Sequence, residues 1–298
     1  MSTKAEAEAG VDFKAVAAVS VTLVLWASAF VGIRFAGAHY EPGSLALGRL
    51  LVGALALGAV AVVKGMPFPP RKAWPGIAGA GVFWFGLYMV ALNWGERHTD
   101  AGTASLLVGI GPVFAAILAG IVLKEGLPRP LVIGLVVAFT GAAIVGLSSQ
   151  HGDSSALGVA LCLLAAAGYA VGVVSQKPAL SHATALQATT FGCAVGAVAC
   201  LPFSGQLIHD VTTAPASATW SMVYLGLLPT ALAFYTWAYA LSRTPAGKLG
   251  VTTYVVPVIV IALSWLFLDE VPTLLAILGG ALCLAGVGVS RTKKRRAQ

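Results

Sequence analysis

Apolar residues along this chain do not alternate; they run unbroken for about 20 residues at a time, and the short gaps between runs hold most of the charged and turn-forming positions. The runs cover residues 15–36, 44–63, 74–94, 101–123, 130–148, 155–176, 185–203, 218–240, 246–268 and 272–290. As helices they are long enough to cross the hydrocarbon core of a bilayer. Membrane strands would alternate apolar and polar positions, and a lipid-exposed backbone must satisfy its own hydrogen bonds, so helices are favoured over a barrel. The pattern predicts an all-α integral membrane protein of about ten transmembrane helices, with no room left for a soluble domain.

The runs contain a repeat. Ala101-Gly102, Pro112-Val113 and Glu125 return as Ala246-Gly247, Pro257-Val258 and Glu270 at a constant interval of about 145 residues, and Gly134 and Gly141 fall on Gly279 and Gly286 at the same interval. Span one has a weaker counterpart in span six. Trp26-Ala27 before Arg34 matches Tyr169-Ala170 before Lys177, with the interval slipping by about two residues. This divides the chain into a short tail at 1–14, a five-helix repeat at 15–148, a second at 155–290 and a basic tail at 291–298. Because five is odd, the second copy must enter the membrane from the opposite side, and inverted repeats are a transporter design. Two copies of one fold, inserted oppositely, can exchange conformations and open alternately to either side.

Composition agrees. Of 298 residues, 58% are hydrophobic and only 10% charged, against about a quarter charged in soluble domains; mean hydropathy is +0.89. The net charge of +7 invites a nucleic-acid reading, which the placement of the charges argues against. Lys64, Arg71, Lys72, Lys124, Arg129, Lys177, Arg243, Lys248 and the tail Arg291 to Arg296 cluster in alternate gaps. By the positive-inside rule both termini are cytoplasmic, and the basic tail is also suited to anionic lipid headgroups. Cys162, Cys193, Cys200 and Cys283 sit within spans without metal-type spacing and read as small packing residues. Ala36-Gly37-Ala38 resembles a signal-peptide cleavage site, but the preceding run is too long for an h-region and its start is acidic as well as basic.

The segments from Tyr88-Met89-Val90-Ala91-Leu92 through Thr99-Asp100-Ala101-Gly102, Pro112-Val113-Phe114 and Leu123-Lys124-Glu125, and from Tyr239-Ala240-Leu241 through Thr244-Pro245-Ala246-Gly247, Pro257-Val258 and Leu268-Asp269-Glu270, resemble the EamA-type half-repeat of the drug/metabolite transporter superfamily. Trp26-Ala27-Ser28-Ala29-Phe30 and Arg49 resemble that family's first two helices, so the likeness runs nearly end to end. It implies a ten-helix exporter of small metabolites, nearest to bacterial amino-acid exporters, including aromatic ones, in the inner membrane. Lys248 and Gly250 stand where the first copy has Thr103 and Ser105, so the halves need not contribute equally to a site.

Trp84 and Tyr88 share one helical face, as do Tyr235 and Tyr239, and the resemblance places the spans of Trp26, Phe30, Tyr169 and Tyr254 around a central cavity. Aromatic walls suit a flat or apolar solute. The competing reading is packing, or interfacial anchoring for Trp74, Trp94, Trp220 and Tyr239. Asn93 and Gln176 are costly to bury and are the polar groups best suited to orient an amino or carboxylate group; Arg49 has an ordinary role in snorkelling to the interface, with substrate contact as the alternative. Pro112, Pro229 and Pro257 are hinge or gating candidates, with a static kink as the alternative.

No Asp or Glu falls in mid-span, so passive exchange along a solute gradient is at least as well supported as proton coupling. A phosphate loop, a His-Glu-x-x-His zinc motif and a Gly-x-Ser-x-Gly elbow are absent from the sequence. The reading is therefore a secondary transporter of amino acids, especially aromatic or bulky neutral ones, working by alternating access. Its partners are the small-molecule substrate and membrane lipids, without nucleic acid, catalytic residues, metal or cofactor, and a monomer suffices for transport. Efflux of amphiphilic drugs is the first alternative; an intramembrane enzyme or multipass scaffold is the second.

Overall fold

The computed structural model describes residues 12–122, 129–148, 155–244, 249–250 and 252–290. Glu125, the Pro245 to Lys248 segment and the basic tail lie outside these. The first half opens with α1 (Phe13–Gly37) and α2 (Pro42–Val63). The third run is α3 (Trp74–Ala80), a π-helical stretch Gly81–Tyr88 and α4 (Met89–Gly95), and the fourth is split into α5 (Ala101–Val108) and α6 (Gly111–Val122) before α7 (Arg129–Ser148). The second half has α8 (Ala156–Ala179), α9 (Ala185–Ala199) and α10 (Ser204–Thr213). There follow α11 (Ala216–Leu225), a second π-helical stretch Gly226–Leu232 and α12 (Ala233–Arg243). A short 3-10 turn at Thr253–Val255 leads into α13 (Val256–Leu268), and α14 (Leu274–Ser290) closes the described chain.

Local chemistry fixes the helix starts. Asp12, Asp100, Ser155 and Thr184 each accept a backbone N–H of the first turn, and Thr184 forms a reciprocal capping box with Gln187. The α2 N-terminus is capped from elsewhere in the chain: Asp210 on α10 accepts the Glu41 N–H at 2.8 Å and the Ser44 hydroxyl. Here the structure corrects the sequence reading, which ended the seventh run at residue 203. The chain bends by 54° and continues as α10, because Pro202 starts a new first turn, where its missing N–H costs nothing.

Among the described residues, six helices are long and apolar enough to cross a membrane, or seven if the bent α9–α10 pair is one span. Shorter apolar helices occupy Val132–Ile144, Thr253–Leu268 and Leu274–Gly286.

The duplication is visible in the packing. On α7 and α14, a Cβ on Gly141 would land on the Gly279 carbonyl, and one on Gly286 would land on the Gly134 carbonyl. Between these crossings the Cys283 thiol donates to the Ala138 carbonyl, its equivalent 145 residues earlier. Residue numbers rise in opposite directions across the contact, so the helices are antiparallel, and each contact is the image of the other under the repeat. That is a local two-fold axis, and glycine is what lets the backbones touch across it. The two π-helical stretches begin at equivalent residues, Gly81 and Gly226, and the broken helices restart at Pro112 and Pro257.

Side-chain bonds tie the gaps into two opposed faces. On one, Arg34 pairs with Glu270 and donates to the Glu96 carbonyl at 2.8 Å, while Arg97 pairs with Glu41 at 2.8 Å. On the other, Lys177 Nζ donates to the Leu241 carbonyl at 2.6 Å, and Arg243 lies 3.9 Å from Asp12.

Candidate functional site

Seven of the apolar runs converge between these faces. Trp26, Ala29 and Phe30 of α1, Arg49 of α2, Trp84 and Tyr88 of the first π-helical stretch and Tyr169 of α8 line a central cavity with Phe234 of α12. Its floor comes from both broken helices, with Ser105, Gly109 and Pro112 on one side and Thr253, Val256 and Pro257 on the other. The cavity holds about 60 Å³. That is room for a few waters and far below the roughly 300–1,000 Å³ of ligand pockets, so this conformation is contracted around the site.

The wall is a continuous aromatic cluster. Trp84 meets Tyr169 edge-on at 5.2 Å and Phe234 at 4.9 Å, and Trp26 lies 4.9 Å from Trp237. Trp84 can sit against α8 because residue 172 is glycine; a Cβ there would overlap the Trp84 side chain. The ring nitrogens of Trp26 and Trp237 are buried without a hydrogen-bond partner among the described residues, which leaves Trp26, on the cavity wall, with a donor to offer.

Of the candidates read from the sequence, Trp26, Phe30, Trp84, Tyr88 and Tyr169 meet at this cavity, as do Pro112 and Pro257. Asn93 does not; it donates to the Pro42 carbonyl at 3.1 Å and faces a separate cavity near Glu96. Gln176 is buried away from the wall, with both amide atoms unpartnered among the described residues. Tyr254 packs against the core while its neighbour Thr253 lines the cavity, and Pro229 lies inside the second π-helical stretch.

On α12 the wall is Phe234, with Trp237 behind it, whereas Tyr235 is off the wall and Tyr239 lies under the Arg243 guanidinium at 3.7 Å. The four-residue spacing that linked Tyr235 and Tyr239 is sound, but the π-helical stretch just before them widens a turn and resets which face points inward. The repeat-matched pair Gly81 and Gly226 was the sequence signal for it. Pro112 and Pro257 are not mid-helix kinks: each is the second residue of the helix that restarts after a break.

Two charged residues depart most from expectation. Arg49 does not snorkel; it is 3% exposed, donates from Nε to Thr230 Oγ1 at 3.1 Å and lines the cavity. It reaches Thr230 because α2 and the second π-helical stretch touch at backbone level, where a Cβ on Gly226 would meet Val52 and the Arg49 carbonyl. Glu96, just past α4, is 1% exposed, and neither carboxylate oxygen has a partner among the described residues. Burial pushes its carboxyl well above the usual carboxylate range; Glu270 and Asp100 push the same way, and Arg34 and Arg49 oppose them. It lines a cavity of about 380 Å³ beside Arg34, Asn93, Arg97 and Glu270.

A wholly helical bundle with membrane-length apolar helices, two matched halves and a contracted aromatic cavity between them describes a multi-pass membrane transporter. The chain belongs to the EamA-like transporter family, whose model matches residues 13–147 and again 156–292. A probable terminal-alkyne amino-acid exporter of Streptantibioticus cattleyicolor is 39% identical over 96% of both chains. The uncharacterized transporter YdfC of Bacillus subtilis is 36% identical over 90% of this chain and 88% of its own. A probable amino-acid metabolite efflux pump of Escherichia coli is 27% identical over 69% of this chain and 71% of its own. A crystal structure 19% identical to this chain matches 93% of it and 97% of its own length at a TM-score of 0.63, a likeness of fold. The protein is thus an EamA-type small-molecule transporter that resembles amino-acid exporters, not an enzyme.

Proposed function

We propose that this protein is a secondary transporter that exports amino acids, aromatic and bulky neutral ones foremost, by alternating access across the bacterial inner membrane. The observation that carries the reading is a contracted aromatic cavity lined by residues of both repeat-related halves. In this arrangement ten spans form two inverted five-helix repeats, residues 15–148 and 155–290, with both termini cytoplasmic. The antiparallel, two-fold contact of α7 and α14 supports inversion, since a two-fold axis relating antiparallel spans lies in the membrane plane. The grouping of Asp12, Lys177 and Arg243 on one face supports the orientation, which puts Arg34 and Glu270 outside.

Rocking of one half against the other would separate Arg34 from Glu270 and widen the cavity at its floor, where the helices restart at Pro112 and Pro257. Pro229 would act with them, inside a stretch already departing from α-helical bonding. The wall would contact solute through Trp26, Phe30, Trp84, Tyr88 and Tyr169, and a single copy of the chain would suffice.

The test is counterflow in proteoliposomes holding the purified protein, with labelled phenylalanine outside and unlabelled amino acid inside. Saturable, transient accumulation is expected. Linear flux would mean a channel, and counterflow of cationic amphiphiles without amino acids would mean drug efflux; either result removes the proposal.

A further inference from the structure

We propose that Arg49 is the carboxylate-binding group of the central cavity, so that the protein selects solutes bearing a free carboxylate and an apolar or aromatic remainder. The proposal rests on the transport reading above and gives that reading its substrate class.

An arginine 3% exposed in a membrane-spanning helix is costly unless its charge meets an anion. The ion pairs among the described residues are Arg34–Glu270, Arg97–Glu41 and Arg243–Asp12, so Arg49 has no carboxylate within 4.0 Å there. Among the described residues its one hydrogen bond runs from Nε to the neutral Thr230 hydroxyl, which leaves both terminal amino groups of the guanidinium without an acceptor there. The ionisable groups near enough to feel its charge are Tyr88, Glu96 and Cys193. Glu96 is the only carboxyl of the three, and its own burial without a partner favours the neutral form. The Arg49 charge is therefore uncompensated by the described residues in this conformation.

The side chain nevertheless lines the cavity, together with Trp26, Trp84 and Tyr169. A planar guanidinium matches a carboxylate bidentately through its two terminal amino groups, and in a buried, aromatic surround that pairing is stronger than in water. The bond to Thr230 fixes Nε and so holds the plane of the fork. The aromatic cluster would take the apolar part of the solute while Arg49 takes its carboxylate. The same charge repels cations, which separates an amino-acid substrate from the amphiphilic amines an apolar cavity would otherwise admit.

The experiment compares phenylalanine, its carboxamide and 3-phenylpropionate as competitors of labelled phenylalanine counterflow, and as stabilisers of the purified protein in a thermal-shift assay. Wild type is expected to prefer both carboxylates over the carboxamide by about 10-fold or more, the worth of a charge-assisted pair. Arg49→Gln should bring that ratio toward unity, and Arg49→Lys should keep part of it. A wild-type protein that treats acid and amide alike, or an Arg49→Gln protein that keeps the full preference, overturns the assignment; a strut that merely held Thr230 would give the second result. If Arg49→Gln does not fold, the wild-type ratio and Arg49→Lys decide. Carboxylate-selective stabilisation without counterflow would sink the transport reading and leave Arg49 as a carboxylate site, whereas counterflow without selectivity would sink the Arg49 assignment alone.

Discussion

Neutralising Glu270 should open the face on which it sits. Its Oε1 takes Arg34 Nε and Nη2, and its Oε2 takes the Ala101 N–H at 3.3 Å, so one carboxylate ties the end of α13 to both α1 and the start of α5. The Arg34 and Glu270 side chains are 32% and 21% exposed, which puts the pair itself at no more than about 1 kcal/mol. Losing a negative charge at the α5 N-terminus adds about 0.5–1 kcal/mol. Glu270→Gln therefore weakens closure by about 0.5–2 kcal/mol, a factor of about 2–30 in the ratio of closed to open. The assay is the rate at which an impermeant maleimide, added from the Glu270 face, labels a cysteine replacing Ser105 on the cavity floor. The four native cysteines are buried and give little background. Labelling should accelerate by about 2- to 30-fold, whereas Arg34→Gln, which removes only the pair, should accelerate it by no more than about 5-fold and add nothing to Glu270→Gln, because the two residues share that contact. An unchanged or slower rate in Glu270→Gln would refute this pair as a closing contact.

Glu96 sets a pH dependence whose sign follows from its surroundings, which include Arg34, Glu270, Arg49 and Asp100. Its carboxyl is raised in the closed form relative to an open, hydrated one, so the closed form binds the extra proton; closure is fully favoured below the ordinary carboxylate range and weakens as pH rises through the closed-state value. Maleimide labelling of the same cysteine should rise with pH, and Glu96→Gln should flatten that profile; an equally steep profile in the variant would assign the dependence elsewhere. Glu125 lies outside the described residues and occupies in sequence the place of Glu270, so Glu125→Gln should bias the protein oppositely and slow labelling from the Glu270 face. Faster labelling would break the symmetry argument.

What the sequence made legible is what periodicity controls. Continuous apolar runs marked the long apolar helices, except that the seventh goes on past residue 203 as α10, and the interval between copies found Gly141 and Gly286, where a Cβ would land on the carbonyls of Gly279 and Gly134. It failed where the backbone changes phase. An α-helical count put Tyr235 and Tyr239 on the inner face, yet the π-helical stretch ending at Leu232 turned Phe234 and Trp237 inward. It failed also where burial depends on distant residues. Arg49 and Glu96 sit near span ends, where snorkelling is the ordinary outcome; α10 and the backbone contact at Gly226, neither visible in local pattern, help close the packing around α2.

The two-fold relation also locates where the halves part company. Arg34 donates to the carbonyl of Glu96, and Lys177, its counterpart in the second repeat, donates to the carbonyl of Leu241, the residue 145 positions after Glu96. The backbone contact is therefore duplicated, one at each face, as a rocking scaffold requires. The side chains on those carbonyls are not: one is a buried carboxyl and the other is leucine. Trp84, the anchor of the aromatic wall, likewise has Pro229 as its counterpart, so one π-helical stretch supplies the wall and the other a break in bonding. A perfectly symmetric protein would respond to protons equally at both faces and bind solute equally from both halves. This one carries the buried carboxyl of Glu96 at the Glu270 face and most of its aromatic wall in the first repeat, so under the proposed alternating access proton sensitivity should belong to the step that opens that face, and solute should follow the first repeat when the halves separate.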